Sequence, residues 1–151
     1  MFRYGKGENM EDLERFRVAQ ERDYALALAE IQNGYKESHW MWYIFPQIQG
    51  LGFTPTSRYY AIRDIEEATE FLNDPYLGDN LREISKELLD KSTDDPEDIF
   101  GELDAMKLKS SMTLFHIAGE MCEENRVFYE VLLKYFDGQF DEKTLELIEE
   151  Y

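Results

Sequence analysis

The chain has 151 residues, of which 33 are acidic and 16 basic, for a formal charge of -17 at neutral pH. That length fits one domain, and 43% hydrophobic with 15% aromatic content excludes a disordered chain despite the charge. A body so acidic repels nucleic-acid phosphates and anionic membranes, which excludes bulk binding to either, while a local basic pocket still leaves a small anionic ligand open. Cys122 is the single cysteine, so no intramolecular disulfide and no cysteine-built metal site are expected, and a reducing cytoplasm is the expected location. No apolar run approaches the roughly 18 residues of a membrane span, and Met1–Met10 lacks the apolar core of a signal peptide.

Residues 1–9 read as a frayed N-terminus, followed by a single helical domain over 10–151. Leu13, Phe16, Tyr24, Leu28 and Ile31 fall near the helical period, predicting a helix over Glu11–Gln32 that stops at Asn33-Gly34. The run Ser38-His39-Trp40-Met41-Trp42-Tyr43-Ile44-Phe45-Pro46-Gln47 holds both tryptophans, and rings at this density belong in a core or a pocket wall. Gly50 and Gly52 break regular structure, and Thr54-Pro55 opens a short segment to Ile62 that is ambiguous between helix and strand. Asp64 is positioned to cap Ile65–Asn73, and Asp74-Pro75 to cap a helix running to Lys91. Asp95-Pro96 starts a short helix to Gly101, Leu103–Ala118 forms another closed by Gly119, and Arg126–Phe136 ends at Asp137-Gly138. Asp141 caps a last helix through Leu145 and Ile148. Seven or eight helices with short connections make an all-α fold.

Turning about 100° per residue from Leu103 places Leu103, Met106, Leu114, Ala118 and Met121 on one apolar stripe, extended by Leu108, Met112 and Phe115. Lys107, Ser110 and Ser111 fall inside that arc at i, i+3 and i+4, with Asp104 one turn before Lys107. An unpaired buried ammonium is costly. Either the patch holds an anion, with Lys107 as the charge and the two serines as donors, or Lys107 pairs with Asp104 while the serines bond back to the preceding turn.

His39 is the aromatic run's one group that titrates near neutral pH, and it is either a general acid or base or a core histidine. Trp40 and Trp42 either stack a ring or fill the core, Gln47 offers a defined amide, and Arg58 with Tyr59 and Tyr60 adds a guanidinium and two phenols, the guanidinium suited to a bidentate phosphate or carboxylate clamp or else to a surface ion pair. No phosphate loop, dinucleotide fingerprint, zinc-protease pattern or nucleophile elbow is present, so no cofactor and no metal are expected.

Taken together, Ser38–Gln47, Gly50-Leu51-Gly52, Ser57-Arg58-Tyr59-Tyr60-Ala61-Ile62, Asp98-Ile99-Phe100-Gly101 and Lys107–Phe115 resemble the bacterial DUF1810 family, over nearly the whole chain. The resemblance implies an all-α fold of the horseshoe-like class and a small cytoplasmic protein, and it implies no activity. Two readings follow. In the first, His39, Trp40, Trp42, Gln47, Arg58, Tyr59, Lys107, Ser110 and Ser111 surround a pocket for a small anionic ligand, a nucleotide or sugar phosphate, with His39 the acid or base of any phosphate-linked group transfer or hydrolysis. It requires His39 and Lys107 to converge on one open cavity. In the second, the aromatic run is core and the helical surface receives a protein partner, a basic one given the acidic exterior.

Overall fold

A computed structural model describes residues 12–151, so the expected frayed segment 1–9 lies outside the described residues. Eight α-helices follow in chain order: α1 Glu14–Gln32, α2 Met41–Ile44, α3 Pro55–Tyr59, α4 Ile65–Asn73, α5 Pro75–Leu89, α6 Pro96–Gly119, α7 Arg126–Phe136 and α8 Glu142–Glu150. A single 3-10 turn at Glu123–Asn125 leads into α7. The caps sit where the sequence places them. Thr54, Asp64, Asp74, Asp95 and Asp141 each accept a hydrogen bond from a backbone N–H in the first turn of the helix that follows. Three of those helices also carry Pro just inside the start, where its missing N–H has no intrahelical partner to lose.

The α4–α5 pair packs on the α6–α7 pair, α4 against α6 and α5 against α7. Helix α1 covers α5, and α8 lies on α6. Between the layers, Phe16 meets Phe71 edge-on at 5.2 Å, and Phe71 continues to Phe115 at 5.2 Å. Phe16, Phe71, Phe115 and Phe128 are all fully buried and form the spine of the core. No helix among the described residues is long and apolar enough to cross a membrane.

Three expectations change. The short helix ending at Gly101 and the helix from Leu103 form one element, kinked at Gly101, whose φ of +77° suits glycine. The apolar stripe drawn through Leu103, Met106 and Met121 is not core, because these are 72%, 65% and 93% exposed. The rest of the expected arc holds: Leu108, Met112, Leu114 and Phe115 are fully buried, Ala105 joins them, and over residues 110–115 the helix is buried all round. The ambiguous segment to Ile62 is both things in turn: helix α3, then a parallel bridge of Ile62 with Ile48. That bridge, made by Gln49 N–H to the Ile62 carbonyl and Ile62 N–H to the Gln47 carbonyl at 2.8 Å each, closes the loop on which the candidate site is built.

Candidate functional site

The aromatic run is anchored by an acid that periodicity does not single out. Glu30, at the end of α1, is 7% exposed, and its carboxylate accepts from the backbone N–H of Glu37 and Ser38, the Ser38 hydroxyl and the Trp40 indole N–H at 2.6–3.0 Å. Burial pushes this carboxyl up, but the four donors outweigh it and bring it down to about 2. Trp40, 1% exposed, is thereby core and not a ligand platform. The chain then turns through α2, which places Trp42 facing outward and Phe45 inward, edge-on to Phe100 at 5.9 Å.

The run and the α6 patch do touch. Lys107 Nζ lies 4.9 Å from the centre of the Trp42 ring, and Lys36 Nζ lies 4.9 Å from that of Trp40. Both ammoniums meet the same carboxylate, Asp104, at 2.9 Å from Lys36 and 3.1 Å from Lys107. Burial raises the Asp104 carboxyl, but the two lysines prevail and hold it below the usual carboxylate range. Lys107 is therefore a rim residue paired with Asp104, as the alternative reading allowed.

A second clamp fixes α3. Arg15 and Glu67 form a buried ion pair at 3.1 Å, and the same guanidinium donates to the carbonyls of Tyr59 and Ala61 at 2.7 Å each. Those carbonyls belong to the residue after Arg58 and to the third after it, so the backbone that carries Arg58 is held from beneath.

Two open clefts result, sharing a border of Trp42, Gln47, Leu51 and Gly52. The first, about 360 Å³, adds Arg58, Tyr60 and Phe53 and is closed on one side by Tyr151. The second, about 320 Å³, adds Lys107, Ser110, Met106, Asp141 and Lys143. Not one acidic side chain lines the first, and the Arg58 guanidinium has no ion-pair or hydrogen-bond partner among the described residues. In the second, the Asp141 carboxylate is engaged by Thr144 through its N–H at 3.0 Å and its hydroxyl at 2.6 Å. Elsewhere the balance is different: in the cleft between α5 and the start of α7, five acids, Asp79, Glu83, Glu87, Asp90 and Glu124, face two cations, Arg82 and Lys86.

The clefts thus gather Trp42, Gln47, Arg58, Lys107 and Ser110 from the residues expected on sequence grounds, and leave out four. His39 is exposed and lies outside both clefts, so it does not converge with Lys107 on a cavity. Tyr59 stacks edge-on against Tyr60 at 4.8 Å, and it is Tyr60 that lines the cleft. Ser111 is fully buried and its hydroxyl has no partner among the described residues, whereas Ser110 bonds back to the Met106 carbonyl at 3.2 Å and reaches the second cleft. Trp40 is the fourth, tied to Glu30. Of the two phenols that the sequence offered, the one chosen was Tyr59 and the one lining the cleft is Tyr60; Leu51, Asp141 and Lys143 were not expected as cleft residues. Among the described residues no group of three or more His, Cys, Asp or Glu side chains could hold a metal.

The model for proteins of unknown function termed DUF1810 matches residues 10–148. The chain belongs to this family. A crystal structure of the conserved hypothetical protein Rv1873 from Mycobacterium tuberculosis is similar over 93% of this chain and 99% of that one, at 38% identity and a TM-score of 0.88. No curated protein matches the chain. The residues of the aromatic run and its neighbours divide between two duties: Ser38 and Trp40 tie the fold to Glu30, while Trp42, Gln47, Gly52, Arg58 and Lys107 border the clefts.

Proposed function

We propose that this DUF1810 protein binds a small anionic ligand, of the nucleotide or sugar phosphate class, in the cleft that carries Arg58. The observation that carries this reading is an unpaired guanidinium in a cleft without acidic lining, in a chain where acids outnumber bases two to one. Left to chance, an arginine in such a chain finds a carboxylate, as Arg15, Arg17, Arg22, Arg63, Arg82 and Arg126 all do. Keeping Arg58 free costs nothing in water and leaves a bidentate donor for a phosphate or carboxylate. The unpartnered amide of Gln47 and the indole of Trp42 then supply polar selection and contact area. The reading is one of binding; with His39 outside the clefts, no proton-transfer step is assigned. The rival expectation, a basic protein partner, concerns the acidic helical surface and not this one, where Arg58, Lys107 and Lys143 oppose a basic partner's approach.

Thermal unfolding against a panel of nucleotides and sugar phosphates tests this. A ligand at 100 times its dissociation constant adds about 2.7 kcal/mol of stability. Arg58→Gln is expected to abolish the response to any hit without lowering the unliganded melting temperature. A variant that responds as strongly as the parent removes the cleft from consideration.

A further inference from the structure

The charge count in the second cleft is uneven in the same sense as in the first. Asp104 is the one carboxylate in ion-pair contact with either Lys36 or Lys107 among the described residues, so two ammoniums share a single negative charge. Lys36 is buried behind the cleft and Lys107 lines it, which leaves the surplus positive charge on the cleft side. Lys143, engaged with Glu146 only at 3.9 Å, also lines the cleft and is offset there by Asp141, so the lining carries two cations against one acid. In a chain of charge -17, one surplus cation facing a cavity is notable, and here two adjoining cavities have one each. Between them stands Trp42, which lines both, with Lys107 over its ring.

We infer that the ligand of this site carries two anionic groups, one held by Arg58 and the other by Lys107 with Lys143, with its body crossing the border at Trp42 and Gln47. The inference rests on the reading of the Arg58 cleft as an anion site and adds the second contact and the ligand class, a bisphosphate or an equivalent dianion. Physically, the second anion supplies the charge that the Lys36–Asp104–Lys107 cluster lacks. Once the first anion is held, the second meets its lysine at a high effective concentration, so a molecule with both groups gains far more than the sum of two weak contacts. A ligand with a single anion satisfies one cleft and leaves the other hydrated.

Matched pairs decide the matter: adenosine 5′-monophosphate against adenosine 3′,5′-bisphosphate, and fructose 6-phosphate against fructose 1,6-bisphosphate, titrated calorimetrically into the full chain. The expected result is a bisphosphate that binds about tenfold or more tightly than its monophosphate in at least one pair. Lys107→Gln is expected to remove that advantage while leaving the monophosphate within about twofold, and Lys107→Arg, which retains the charge and the Asp104 contact, to preserve it. Arg58→Gln weakens both members of the pair. Bisphosphates that bind no better than monophosphates, with Arg58→Gln still abolishing binding, overturn the two-anion inference and leave the Arg58 site standing. Four compounds that do not bind overturn both.

Discussion

At the scale of single residues, the fold depends on acids that have been taken out of solvent and given partners. Glu30 gathers four donors from Glu37 to Trp40, and replacing its carboxylate by an amide both removes the charge and turns a donor toward donors. Its pKa lies near 2, below the ordinary 4.5, so its contribution is fully present above about pH 4.5 and is lost as the pH falls toward 2. Glu30→Gln is therefore expected to lower stability at pH 7 by on the order of 2 kcal/mol, with the gap between parent and variant closing by pH 2. Urea unfolding of both proteins at several pH values measures that gap, and a gap that stays constant with pH would show that packing and not the charge carries the effect. Ser111 is the opposite case, a fully buried hydroxyl without a partner among the described residues, in the stretch 110–115 over which α6 is buried all round.

At the scale of elements, helix α8 walls both clefts, through Asp141 and Lys143 at its start and Tyr151 at its end. Its seat on the cleft loop is Gly50, whose φ is +102° and whose absent Cβ would lie 2.9 Å from Leu147 Cδ2. An alanine there meets both a strained backbone and the α8 side chain, so Gly50→Ala is expected to cost about 2 kcal/mol and to raise amide hydrogen exchange first in α8. Gly101→Ala is the control: its φ is also positive but nothing lies within 4 Å of the added carbon, so it should cost about 1 kcal/mol and leave α8 exchange unchanged. Equal exchange in α8 for the two variants would detach α8 from the cleft loop. The same contrast shows what the sequence could reveal. Caps at Asp64, Asp74, Asp95 and Asp141 were legible because cap and helix are adjacent in the chain, and α7 was read with its observed bounds. Arg15 with Glu67, and Lys36 with Asp104, were not, because their partners are brought together by tertiary packing that no local period encodes. Leu103 and Met106 were misread for the same reason: a helical wheel identifies an apolar face but not whether another element covers it.

At the scale of the whole molecule, two fields of opposite sign coexist. The body carries -17, and its exposed ion pairs, Arg63–Asp12, Arg126–Glu130 and Lys143–Glu146, contribute only about 0–1 kcal/mol each. Mutual repulsion among the unpaired acids therefore outweighs them, and added salt screens both, with a Debye length of about 30 Å at 0.01 M falling to roughly 4 Å at 0.5 M. The buried Arg15–Glu67 pair is hardly touched by that screening. Raising sodium chloride across this range should accordingly increase the unfolding free energy, by on the order of 1 kcal/mol, as less repulsion is relieved on unfolding. Ligand binding should respond in the reverse direction, because attraction between an anion and Arg58 or Lys107 is a short-range gain that salt weakens. Urea unfolding and calorimetric titration run over the same salt series measure both slopes. Stability that falls with salt would mean that the ion pairs, and not the net charge, dominate the exterior; affinity for a phosphorylated probe that rises with salt would mean that the acidic body, not the cationic clefts, governs its approach.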